Sequence, residues 1–171
     1  MIHKNKFVAV VFFCLAITIS AWAQEKKPTK TDSTITLNWL TKSFLLKNPD
    51  TGFVALDDGS GFEKKSINAT LKIVTFPGKY ADAKKEFLTS SPRENSVKID
   101  IVYNNVNSKE AVSFITEEIS PDKTQFENFI LIMTLIEVDD VLVVVIGAYP
   151  KSHDKSLRQK FIQTSIEIEG A

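Results

Sequence analysis

Apolar and polar positions change rhythm several times along the chain, and each rhythm predicts an element. Phe7 to Ile19 is an almost unbroken apolar run behind Lys4 and Lys6, and Ala21-Trp22-Ala23 has the small-x-small form of a signal-peptidase site. The run is too short to span a membrane comfortably, and polar residues from Gln24 follow at once. Residues 1–23 are therefore expected to be a signal peptide. Cys14 lies inside the run and not at its end, so lipid attachment at a cleavage point is not expected. Residues 24–36, Lys-rich and carrying Pro28, read as a flexible leader, and 37–171 as one domain.

Ser43 to Lys47 is apolar enough for a strand. Asn48-Pro49-Asp50-Thr51-Gly52 supplies turn residues, Phe53 to Leu56 returns as a short strand, and Asp57 to Gly61 reads as a loop. Ala69 to Phe76 is a strand with apolar residues on both faces. After Pro77-Gly78 the period changes: Tyr80, Ala83 and Phe87, with Leu88 beside them, make the apolar stripe of a helix that Ser90-Ser91-Pro92 stops. Val97, Ile99, Ile101 and Tyr103 alternate with polar residues, which predicts a strand with those four on the dry face. Asn104 to Ser108 turns the chain, and Ala111 to Ile119 is the next strand.

Phe126 to Tyr149 is the most apolar stretch of the domain. Glu137, Asp139 and Asp140 in its middle would each cost roughly 2.5–3.5 kcal/mol inside a bilayer, which excludes a membrane span. Its β-branched residues favour a hairpin, Phe126–Glu137 and Val141–Tyr149, turning near Asp139-Asp140. Strands apolar on both faces belong in the middle of a sheet covered on both sides. Ser152 is placed to cap a last helix carrying Leu157 and Phe161, and Ser165 to Glu169 closes the fold as a strand or a helix tail. Strands, a helix, several antiparallel strands and a helix define an α+β fold: an α-β-α sandwich with a central antiparallel sheet.

Composition narrows the chemistry. Apolar residues at 43% and charged residues at 25% suit a globular domain. The 21 basic and 21 acidic side chains cancel, which argues against nucleic acid as a partner. Removing residues 1–23 takes Lys4 and Lys6 and no acid, leaving a mildly acidic chain with His153 as its one histidine and no thiol. A disulfide framework, a thiol nucleophile and a Cys/His zinc site are thereby excluded. His153 beside Asp154 does not make a triad, because adjacent residues on a helix do not face each other. Asp57-Asp58-Gly59-Ser60-Gly61 lacks both EF-hand and phosphate-loop spacing. No catalytic, cofactor-binding or metal-binding residue is assigned. Lys151, Lys155, Arg158 and Lys160 cluster near the last helix and form the candidate docking patch, against the plainer reading of a wet helix face. Asn68-Ala69-Thr70 matches an N-glycosylation sequon, and Asp32-Ser33-Thr34 a short O-glycosylation pattern in the leader.

From about Asp50 onward the order of motifs resembles the Mog/PsbP-like superfamily, which includes the DcrB-like bacterial envelope proteins. The residues that carry the resemblance begin with Gly52-Phe53-Val54 after a Pro-containing turn, then Ile73 to Phe76 running into Pro77-Gly78-Lys79-Tyr80. The Phe87-bearing helix, the apolar hairpin, Gly147-Ala148-Tyr149-Pro150 and a terminal amphipathic helix complete it. The chain departs from bacterial members at Asn107-Ser108, where they often turn with Asn-Gly. The resemblance implies the sandwich fold and a habit of binding other proteins, and it supplies no catalytic residues. Together these readings give an exported, non-catalytic envelope protein, periplasmic or secreted after cleavage near Ala23. It is expected to serve as a binding or accessory module for a protein partner in the cell envelope, with no cofactor and no stable membrane span. The alternative is a small-molecule or lipid binder with a pocket between helix and sheet.

Overall fold

The computed structural model describes residues 29–30, 33–39, 42–92, 94–106, 108–121, 127–138 and 141–166. The expected signal peptide, the Asp139-Asp140 turn and residues 167–171 lie outside them. Twelve elements follow in chain order. Strands β1 (Thr29–Lys30), β2 (Thr34–Trp39), β3 (Lys42–Lys47), β4 (Val54–Ala55), β5 (Gly61–Lys64) and β6 (Ala69–Pro77) precede helix α1 (Tyr80–Thr89). Strands β7 (Ser96–Val106), β8 (Lys109–Glu118), β9 (Phe129–Val138) and β10 (Val141–Pro150) lead to helix α2 (Asp154–Ile166).

The main sheet has seven antiparallel strands in the order β4-β5-β6-β10-β9-β8-β7. The β9–β10 hairpin lies at its middle, as its two-sided apolar pattern requires. Leu142 and Val144 face α1, packing with Tyr80, Ala83 and Phe87. Val143, Val145 and Tyr149 face the other way, into a larger cluster with Leu157, Phe161 and Ile162 of α2. One buried polar pair interrupts this second face, and it satisfies itself: the Ser113 and Thr134 hydroxyls lie 2.8 Å apart. Helices on opposite faces of an antiparallel sheet make the α-β-α sandwich expected from the element order.

Several boundaries differ from the sequence reading. The leader was expected to run through residue 36, but β2 begins at Thr34 and buries Ile35 completely. It pairs with β3, and Ile35, Leu37, Phe44 and Leu46 join α2 in covering one sheet face. Hydrophobic alternation starting at Ile35 is the signal for that strand, masked by the polar residues before it. The loop ends at Ser60, since Gly61 already opens β5. Gly61 is glycine because a Cβ there would overlap the Leu71 carbonyl of the adjacent strand. Ser152 does not cap α2. It lies in a 3-10 turn, Lys151–His153, and its hydroxyl donates to Glu127 (3.1 Å). Leu88 is outside the buried stripe of α1, at 38% exposure.

Candidate functional site

The largest departure from the expected pattern is at the sheet edge. β7 is eleven residues long and, among the described residues, pairs on one side only, with β8. Its register slips between Lys98 and Asp100, where Ile99 forms a bulge. A one-residue slip moves every later side chain to the opposite face. The four apolar residues expected to point one way therefore do not. Ile101 pairs with Phe114 and packs on the α1 cluster, while Val102 packs on the α2 cluster. Val97, Ile99 and Tyr103 remain 49%, 39% and 55% exposed.

The backbone of this edge is partly open. β7 and β8 join through two residues between Val106 and Lys109, a connection whose flanking residues form a hydrogen-bonded pair. Pairing alternates along an antiparallel ladder, so Val106, Asn104 and Val102 bond to β8 and Asn105, Tyr103 and Ile101 turn their N–H and C=O groups outward. The Ile101 N–H agrees with this: it donates to the Asp100 carboxylate at 2.8 Å instead of to a strand. Ser108, in the turn, has φ +68°, a left-handed conformation that suits glycine better than serine.

Beside the edge lies an apolar groove between the end of α1 and the sheet. Phe87, Ile101, Phe114, Leu131 and Met133 line it, with Lys98 at the rim. Phe87 and Phe114 stack with centroids 5.3 Å apart. The Lys98 ammonium donates to the carbonyls of Phe87 (3.1 Å) and Ser90 (2.7 Å), putting a cation at the negative end of α1 and tying the helix to β7. The cavity volume is about 60 Å³. Drug-sized ligands occupy about 300–1,000 Å³, so this groove has room for one aliphatic side chain or a short alkyl group.

Towards the turn, α1 and the edge meet through charges. Lys84 lies 2.5 Å from Glu110 of β8, and the Tyr80 hydroxyl donates to the same oxygen at 2.8 Å. The Lys84 ammonium is also 5.2 Å from the centroid of the Tyr103 ring, within cation–π range. Lys84 and then Tyr80 hold the Glu110 carboxyl below its ordinary range, and burial, reinforced by the bond to Glu110, pushes the Tyr80 phenol up. The Tyr80 hydroxyl thus serves as a donor that ties α1 to β8.

The four residues of the basic docking patch do not form a bare patch. Lys151 is paired with Glu117 (2.7 Å), Arg158 with Asp154 (2.5 Å) and Lys160 with Asp50 (2.7 Å), while Lys155 is exposed. The acids come from other elements in two cases, which is why the linear sequence showed only the cations. Arg158 is also half-buried against Tyr149, whose hydroxyl shares Asp154. His153 sits in the 3-10 turn before α2, and its carbonyl accepts the Ser156 hydroxyl. Among the described residues no group of three His, Cys, Asp or Glu side chains gathers for a metal. Asp58 closes the 57–61 turn on itself by accepting from the Ser60 N–H and hydroxyl. Asn68 is exposed in a left-handed turn. Ser33 accepts the Asn48 N–H and Thr34 lies in β2, so that end of the short O-glycosylation pattern is in the folded unit.

Among the described residues, a seven-stranded antiparallel sheet with one helix on each face makes an α-β-α sandwich. The fold is PsbP-like. The solution structure of cyanobacterial PsbP (CyanoP) from Synechocystis sp. PCC 6803 superposes with a TM-score of 0.53 at 8% identity, covering 90% of this chain and 99% of that one. The crystal structure of PA94, a protein of unknown function from Pseudomonas aeruginosa, gives a TM-score of 0.49 at 11% identity, covering 79% and 95%. At such identities the likeness is one of fold. No protein-family model matches the sequence, and no curated protein is similar to it in sequence.

Proposed function

We propose that this chain is an exported, non-catalytic accessory domain of the cell envelope, acting by surface contact with a protein partner through the β7 edge. The observation that carries this reading is the set of half-exposed Val97, Ile99 and Tyr103 on a strand that, among the described residues, pairs on one side only. Apolar side chains beside open backbone groups favour another protein over a polar solute. The PsbP-like fold is consistent with an accessory or binding module. Export rests on Lys4, Lys6, the apolar run and Ala21-Trp22-Ala23. Among the described residues no helix is long and apolar enough to cross a membrane.

The groove under α1 keeps a second reading in view, in which it takes a short alkyl group from a small molecule. Its 60 Å³ suits a partner's side chain at least as well. The test is crosslinking in intact cells, followed by mass spectrometry, on the parent and on a Val97→Lys, Ile99→Lys, Tyr103→Lys variant. These sites are exposed, so the variant should fold. Loss of a reproducible partner supports the edge; a partner retained by the variant, or a copurifying small molecule with no partner, overturns it. The same sample reports export through a mature N-terminus at Gln24, and retention of Met1 contradicts it.

A further inference from the structure

We infer that the partner at the β7 edge is a second copy of this chain, paired antiparallel through β7 with Tyr103 facing Tyr103 across a two-fold axis. This rests on the proposed role of the edge as a contact surface, and adds what covers it.

The open stretch is symmetric about its midpoint. The bulge at Ile99 ends regular pairing on one side, and the turn after Val106 ends it on the other. Between them, Asp100 to Val106 is a seven-residue strand with Tyr103 at its midpoint. The outward backbone groups belong to Ile101, Tyr103 and Asn105, placed evenly about that midpoint. An antiparallel copy centred on Tyr103 sets Tyr103 opposite Tyr103 and Ile101 opposite Asn105, and each outward N–H meets an outward C=O. A register shifted along the strand leaves some of these groups without a partner.

Charge permits the same pairing. The chain from Gln24 is only mildly acidic, so copies repel weakly at long range. Locally, the centred register places Asp100 opposite Val106 of the second copy, and Val106 is paired on its inner side with Lys109. Asp100, Val106 and Lys109 point to the same face of the sheet, since Asp100 lies opposite Ile115 and both Ile115 and Val106 belong to the α2-side cluster. Asp100 of one copy and Lys109 of the other are then two strand spacings apart, about 10 Å between Cα atoms, within reach of the two side chains. The symmetry makes this approach twice. Asp100 now covers the Ile101 N–H. On pairing, the Asn105 carbonyl of the second copy takes that N–H and releases Asp100 towards Lys109. Near the axis, Lys84 lies over each Tyr103 and is already neutralised by Glu110, so the two ammonium groups are brought together with their counter-charges.

The consequence is one continuous sheet with both α1 helices on the same side. The two grooves under α1 then open on a common face.

Sedimentation equilibrium on the chain from Gln24 tests this. The parent is expected to show twice the monomer mass at high concentration and to dissociate on dilution. Because residue 103 meets its own copy, Tyr103→Lys and Tyr103→Glu should each sediment as monomers, and an equimolar mixture of the two should regain the doubled mass. A parent that stays monomeric at all concentrations overturns self-pairing, as does a mixture that stays monomeric beside a dimeric parent. The two claims separate cleanly: a monomeric parent whose crosslinks to another protein are lost in Tyr103→Lys leaves the edge as a contact surface and removes only the second copy. A monomeric parent whose crosslinks survive Tyr103→Lys removes both.

Discussion

Gly147 marks the closest approach between the sheet and α2. A Cβ there would overlap the ring of Phe161, which is fully buried and packs edge-on against Tyr149 with centroids 5.1 Å apart. Neither side can yield easily, so Gly147→Ala is expected to lower stability by about 1–3 kcal/mol, read as a fall in the thermal midpoint. Glu117 makes a different kind of contribution. Its carboxylate accepts from Lys151 (2.7 and 2.9 Å) and from Asn128 (2.5 Å), with its side chain only 15% exposed. Lys151, then Asn128, hold its pKa below the ordinary 4.5. A carboxyl depressed in the folded state contributes stability that is present above 4.5 and lost as pH falls through the folded value. Denaturant titrations should therefore show Glu117→Gln less stable than the parent at neutral pH, with the gap closing in acid. An unchanged gap across that range would contradict the assignment. These single-residue effects were not legible in the sequence, because Gly147 and Phe161, or Glu117 and Lys151, become neighbours only through the fold. The acidic partners of the basic patch were hidden for the same reason: Asp50 and Glu117, which pair with Lys160 and Lys151, are distant along the chain.

Elements were more legible than their edges. The β9–β10 hairpin declared itself by length, β-branching and a charged turn, and each of its strands is dry on both faces. Val144, 1% exposed and facing α1, is the position that tests this most severely. Val144→Asp buries an unpaired charge in the middle strand of the sheet and is expected to cost more than about 4 kcal/mol, so the variant should lack a cooperative melt. A melt like the parent's would mean that the hairpin is not central. The helix at Tyr80–Thr89 was also plain from its stripe, whereas its anchor was hidden: Lys98 on β7, 11 residues beyond Phe87 and 8 beyond Ser90, reads as an ordinary wet-face lysine until its ammonium is seen on the Phe87 and Ser90 carbonyls. β7 was recognised as a strand but given the wrong faces. Perfect alternation from Val97 to Tyr103 assumes a regular pleat, and nothing in those residue types announces the bulge at Ile99.

At the scale of the whole molecule, among the described residues, the two faces of the main sheet are covered and the β7 edge is not. One face is closed by α1, the other by α2 together with β2 and β3. The opposite edge ends in the two-residue β4, a length that offers little to a pairing strand, although Val54 on it is 54% exposed. The sandwich was readable from element order and the resemblance it carried; the unfinished edge was not, because edge position depends on strand order in space. That edge is the centre of the functional account, and the matched exposure of Val54 supplies its control. A photo-crosslinking amino acid placed at Tyr103, and separately at Val54, in the protein expressed in intact cells measures contact at each edge directly. The account expects covalent protein adducts from position 103 and few or none from position 54. Adducts from 54 with none from 103 would contradict it.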